Sequence, residues 1–276
     1  MVLNELQHVQ LSILQEMDRV CRKNGIRYFL FSGTLLGAVR HKGFIPWDDD
    51  IDVVLLRDEY ERFVRLSQEE FGPNFFLQTN DSDPEYHNVY AKLRRSDTTY
   101  VESYMDHKRI NHGVFIDVFP MDGLPSNRLL QALFWYPVSV LGYTASLKAF
   151  KKAPKDHLIF PFMLFKVLSP LSGGTLMKAY GKLMGMFDIR RAKKVGFLTH
   201  AGFPLDHVVY ERSWFDSIAE LEYEGLPMPA PGEHHKVLTQ LFGEYMSPPP
   251  EDKRVSHHGA TLIDLDIPYK EAVHEI

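Results

Sequence analysis

The chain has 276 residues, 45% hydrophobic and 24% charged, with a formal net charge of −5. That is enough for one large domain or a core carrying an added lobe, and the acidic balance excludes a strongly basic nucleic-acid binder. Cys21 is the only cysteine, so no internal disulfide forms, and Met1-Val2-Leu3-Asn4 does not open a secretory signal; a reducing, cytoplasmic setting is expected.

Residues 3–23 place Leu3, Leu6, Val9, Ile13, Met17 and Val20 at spacings of three and four, which predicts an amphipathic helix stopped by Gly25. Residues 27–31 predict a short buried strand. Ser32-Gly33 breaks it, and 34–40 predict a short helix. Residues 51–56 predict a second buried strand, followed by a helix capped by Asp58 and running to about Glu70. Further strands are expected at 75–78, 89–93 and 114–118. Mainly helix is expected over 126–200, strand within 206–224 and helix at 234–242, with an irregular tail after Arg254. The expected organisation is α+β: a core at 1–125, a helical lobe at 126–200, and a segment at 201–276 that completes the core and its cleft.

Leu129 to Leu147 carries no charge but is broken by Gln131, Pro137 and Gly142. A second apolar patch, Leu158 to Phe165, follows Lys148, Lys151, Lys152 and Lys155. Buried helices of the lobe are the first reading. An apolar face lying on an anionic membrane surface is the second.

The chemistry concentrates in Trp47-Asp48-Asp49-Asp50-Ile51-Asp52. Residues two apart on a strand share a face, so Asp50 and Asp52 project together while Ile51 and Val53 enter the core. Adjacent carboxylates repel unless a cation lies between them, and hard oxygen ligands suit Mg²⁺ or Mn²⁺. Asp117, alone among Val114-Phe115-Ile116 and Val118-Phe119, is a third carboxylate that burial would penalise without a partner. Asp48 and Asp49 are expected to shape the turn. Ser32-Gly33-Thr34 can cradle a phosphate with hydroxyls and backbone amides. Arg40, His41 and Lys92 are candidates to neutralise a diphosphate.

The stretch from Phe31 through Gly33-Thr34-Leu35-Leu36-Gly37 and Arg40-His41 to Pro46-Trp47-Asp48-Asp49-Asp50-Ile51-Asp52-Val53 resembles the signature of the LicD family. So do Gly113 to Pro120 with Asp122-Gly123, and Phe242-Gly243-Glu244-Tyr245-Met246 with Pro248-Pro249, Arg254 and His257-His258. The resemblance implies a nucleotidyltransferase-like mixed sheet flanked by helices. It makes Gly33-Thr34 the turn, Asp50 and Asp52 the metal pair, and Asp117 either a metal ligand or a general base. It further implies transfer of phosphocholine from CDP-choline to a sugar hydroxyl of teichoic acid or lipopolysaccharide, releasing CMP. Ribitol or glycerol phosphate is the alternative cargo. Strict nucleotidyl transfer with pyrophosphate release, and a non-catalytic glycan-binding role, are rivals. The acceptor would be lipid-linked, with peripheral contact at the inner face of the membrane. Trp47 and Tyr90 are candidates for a choline cage. His112 and His258 are candidates for donor or acceptor contact.

Overall fold

A computed structural model describes residues 4–150, 166–168, 170–199, 204–254 and 259–272. The apolar patch at 158–165 and the His257-His258 pair lie outside the described residues.

Helix α1 (Glu5–Asn24) begins at a capping box: the Asn4 side chain accepts the Gln7 amide, and the Gln7 side chain accepts the Asn4 amide. It ends at Gly25, whose φ of 58° is the left-handed cap that glycine adopts cheaply. Its buried stripe, Ile13, Leu14, Met17, Val20 and Cys21, packs on the central sheet. Each such side chain contributes about 1.5–3 kcal/mol by leaving water.

The sheet has seven strands, ordered 29–30, 52–56, 114–124, 91–95 and 75–78, with 194–196 and 209–211 continuing from the far end of 114–124. Its strands are β1 (Phe29–Leu30), β2 (Asp52–Leu56), β3 (Phe75–Gln78), β4 (Ala91–Arg95), β6 (Val114–Leu124), β7 (Lys194–Gly196) and β8 (Val209–Glu211). Only β2 and β6 pair in parallel, so the sheet is mixed, as expected of the α+β class. Two helices join its strands: α2 (Ser32–His41) and α3 (Arg57–Val64). β6 is much longer than the predicted 114–118. It is buried throughout, and its second half pairs with β7, a partner that arrives more than seventy residues later. Asp58 is not a cap. It sits in the first turn of α3, where a carboxylate meets the positive end of the helix. The helix stops at Val64, and Gln68–Glu70 forms a separate short turn.

The lobe is built from α4 (Arg128–Ala149) and α5 (Gly173–Met184), which pack together. They share a core of their own around Trp135, Val138, Leu176, Tyr180 and Met184. Among the described residues no helix is long and apolar enough to cross a membrane. Leu129, Leu133 and Tyr136 of α4 are nonetheless more than 60% exposed.

The C-terminal segment contributes α6 (Leu205–Val208), a hairpin of β9 (Ile218–Tyr223) and β10 (Leu226–Pro231), and α7 (His234–Phe242). The tail is not irregular. β11 (Ala260–Asp264) pairs with β5 (Thr99–Glu102), and α8 (Tyr269–Ala272) follows. Exposure alternates along Ala260–Asp264, as in a strand with one face to solvent, and its backbone edge pairs with β5.

Candidate active site

Three strands align three charged residues. Asp52 is in register with Asp117 across the parallel β2–β6 pair, and Asp117 with Lys92 across the antiparallel β6–β4 pair. Residues opposite one another share a sheet face, so these side chains form one row. Gln78 on β3 extends it beside Lys92.

The turn between β1 and α2 closes one end of the row. Ser32 sits at φ 48°, a left-handed conformation that costs a non-glycine residue roughly 1–2 kcal/mol. Gly33 follows because a Cβ there would lie 2.7 Å from Asp48 Oδ2. Thr34 is buried, and its hydroxyl accepts the Asp52 amide at 2.8 Å. Thr34 therefore fixes the start of the acidic strand.

Asp50 lies just before β2, outside the strand. It still opens onto the same cavities as Asp52. The acidic loop is held from beneath by α1: Gln7 Nε2 donates to the Asp48 carbonyl at 3.1 Å and Gln10 Nε2 to the Asp49 carbonyl at 2.6 Å. Both glutamines are buried. The sequence signal for them is their place on the stripe Gln7, Gln10, Leu14, Met17, Cys21, where an amide is out of character.

Burial, then the neighbouring carboxylates Asp50, Asp117 and Asp48, hold the Asp52 carboxyl well above the usual range, while Lys92 pulls it back. Asp117 is also raised, chiefly by burial, against the pull of Lys92. Carboxylates crowded this way are relieved by a cation, and oxygen-only donors suit a hard divalent ion. Carboxylate oxygens of Asp48, Asp49 and Asp50 lie within 4.8 Å of one another. Asp48 and Asp49 therefore join the candidate ligand set as well as shaping the turn.

Two cavities meet at this site. An open one of about 520 Å³ is lined by Gly33, Arg40, Trp47, Asp48 and Tyr245. A more enclosed one of about 310 Å³ is lined by Tyr90, Glu102, Tyr104, Asp117, Phe119 and Phe197. Ser32, Asp50, Asp52 and Phe242 line both.

Arg40 Nη1 donates to the Tyr245 carbonyl at 2.8 Å, tying the C-terminal segment to the open cavity. Burial, helped by the nearby charge of Arg254, lowers the Arg40 pKa. Trp47 lines the same cavity, with His41 edge-on at 6.3 Å and the Arg254 guanidinium 5.2 Å from its ring centre. Lys92 is buried behind the row, its ammonium 2.8 Å from Asp117 and 2.9 Å from Glu102. It serves Asp117, and neither cavity includes it among its walls. His112 is buried too, its Nε2 3.0 Å from the Lys108 carbonyl, and it lines neither cavity.

The sequence reading passes over Glu102, Tyr104 and Phe197. Burial alone would raise the Glu102 carboxyl, but Lys92 and Arg94 hold it down at about 2. Arg94 in turn donates to Gln78 at 2.6 Å and to the Gly113 carbonyl at 2.7 Å. A second buried aspartate on β6, Asp122, has its own partner in Arg57, at 2.6 and 2.9 Å. Of the two β6 aspartates, Asp117 is therefore the one turned to the cavities.

The profile described as LicD/FKTN/FKRP, nucleotidyltransferase domain, matches residues 25–161. Lipopolysaccharide cholinephosphotransferase LicD of Haemophilus influenzae is 31% identical over 263 residues, covering 94% of this chain and 96% of that protein. Human ribitol 5-phosphate transferase FKRP is 27% identical over 101 residues, covering 31% of this chain and 20% of that protein. The family model's residues 25–161 include the turn, the acidic run and Asp117, and with the LicD relative similar over nearly the full length, the chain belongs to the LicD family.

Proposed function

We propose that the protein is a metal-dependent phosphotransferase that moves phosphocholine from CDP-choline to a sugar hydroxyl of a cell-surface glycan, releasing CMP. The observation that carries this reading is the position of Asp50 and Asp52 on the wall shared by two cavities. A transferase of this kind needs its reacting phosphorus between a leaving nucleotide and an incoming alcohol. The full-length similarity to a lipopolysaccharide cholinephosphotransferase supports the cargo and the acceptor class.

Asp50 and Asp52 are the residues that would hold Mg²⁺ or Mn²⁺, with Asp48 or Asp49 able to complete the set. When bound, such an ion offsets charge on the diphosphate and orients the donor. Ser32 and the Gly33 amide steady phosphate oxygens at the junction. Arg40 counters negative charge in the open cavity, and Trp47 forms part of its wall. Asp117 already has Lys92 beside it, so it has the least need of a further cation. Its raised proton affinity suits it to take the proton from the acceptor hydroxyl. The acceptor oxygen then bonds to the phosphorus attached to choline, and the phosphorus–oxygen bond to CMP breaks. A lipid-linked acceptor would bring the protein to the inner face of the cytoplasmic membrane. The exposed Leu129, Leu133 and Tyr136 on α4 suit that contact.

The test is product analysis of the purified protein with CDP-choline, Mg²⁺ and a lipopolysaccharide or teichoic acid acceptor. CMP and a choline-modified glycan are expected. Pyrophosphate would establish strict nucleotidyl transfer instead, and glycan binding without turnover would establish a non-catalytic role.

A further inference from the structure

We propose that the enclosed cavity is a cage for a quaternary ammonium, with Tyr90, Tyr104, Phe119 and Phe197 as its walls and Glu102 as its anionic floor. This rests on the phosphotransferase reading and assigns the part of the donor that distinguishes one cargo from another.

Three observations converge on it. The first is the rings: Phe119 lies 4.5 Å from Tyr90 and 5.1 Å from Phe197, centre to centre, so three aromatic residues make one continuous wall. Tyr104 faces the same space, its hydroxyl donating to Glu102 Oε1 at 2.9 Å. The second is charge. The lining includes Asp50, Asp52, Glu102 and Asp117 and, among the described residues, no lysine or arginine. Lys92 lies 5.8 Å from the Tyr90 ring centre, but its ammonium is taken by Glu102 and Asp117. The third is place: Asp50, Asp52 and Ser32 belong to both cavities, so a group bound here is continuous with a phosphate held at the junction. Choline's short ethylene tether suits that step.

A methylated ammonium has no N–H to satisfy, and aromatic faces with nearby carboxylates suit it best. A primary ammonium is strongly hydrated and asks for several acceptors. A polyol is neutral, so the ring faces offer it no cation–π attraction and the acidic lining no charge to pair with. Trp47 is not part of the cage. It lines the open cavity, with a guanidinium already over its ring.

Tetramethylammonium is the probe. It should inhibit CDP-choline turnover competitively in the wild-type protein. Tyr104→Leu should raise both the inhibition constant and the KM for CDP-choline about tenfold. Tyr104→Phe, which keeps the ring, should recover most of that loss. Phe197→Leu is the second variant, read the same way after its thermal melt shows it folded. Wild-type turnover of CDP-choline with no inhibition by tetramethylammonium, or Leu variants with unaltered choline over ethanolamine selectivity, would overturn the cage and leave the phosphocholine reading standing. Turnover of CDP-ribitol but not of CDP-choline would overturn both.

Discussion

The two cavities share a wall and differ in almost everything else. The open one is rimmed by Arg40 and Trp47 and closed by the C-terminal segment around Tyr245. The enclosed one is aromatic and acidic, and no lysine or arginine among the described residues lines it. The difference follows from where the walls come from. The open cavity is made by loops and by α2, where long polar side chains can reach water. The enclosed one lies against strand residues, Asp52 of β2, Glu102 of β5 and Asp117 and Phe119 of β6, where any buried charge must be compensated. A nucleotide diphosphate suits the first environment and a methylated cation the second. Asp50 and Asp52 hold the boundary.

The largest expected effect removes that boundary. Asp52→Asn should lower transfer about a thousandfold, the scale of losing an electrostatic group at the reacting centre. It should also abolish the rise in melting temperature that Mg²⁺ gives the wild type through binding to the folded state alone. Asp117→Asn should lower turnover by a comparable 10²–10⁴-fold, the range for a general base, yet keep the Mg²⁺-induced rise. Equal loss of both signals in the two variants would make Asp117 a ligand and move the boundary into the enclosed cavity. A smaller effect separates the cavities: Arg40→Ala should raise the KM for CDP-choline about tenfold, as loss of one charge-assisted hydrogen bond does, without weakening tetramethylammonium inhibition. A parallel weakening of both would show that the cavities are not independent.

Much of the site is legible in the linear sequence because its parts are local. The turn at Ser32-Gly33, the acidic run and Asp117 each stand out against apolar neighbours, and Asp117 is conspicuous as the one charge in an otherwise apolar run. The register that sets Asp117 between Asp52 and Lys92 is not local. It depends on a parallel pairing over sixty-five positions, and nothing in residues 51–56 names that partner. For the same reason Lys92 reads as a phosphate ligand: a lysine beside Arg94 and Arg95 looks like a surface patch until β4 is placed next to β6. Of the enclosed cavity's aromatic walls the sequence offers only Tyr90, since Tyr90, Tyr104, Phe119 and Phe197 come from four separate segments. The tail strand Ala260–Asp264 escapes because its partner, β5, lies about 160 residues earlier.

Glu102 joins the two halves of the comparison, because the floor of the enclosed cavity is also part of the fold's internal salt network. Lys92 Nζ at 2.9 Å and Arg94 Nη2 at 2.7 Å hold its carboxyl at about 2, below the 4.5 of a free glutamate. A carboxyl depressed in the folded state binds its proton more readily once the chain unfolds. Its contribution is therefore complete above pH 4.5 and is lost as the pH falls from 4.5 towards 2. The full contribution is roughly 3 kcal/mol, less whatever the two cations recover from water on unfolding. Glu102→Gln should accordingly lower the melting temperature at pH 7, and the gap to the wild type should shrink steadily below pH 4.5, which thermal melts across pH 3–7 would measure. A gap that stayed constant through that range would mean that the variant's loss does not come from the Glu102 charge, and no gap at all would mean that Lys92 and Arg94 are held equally well by Asp117 and Gln78.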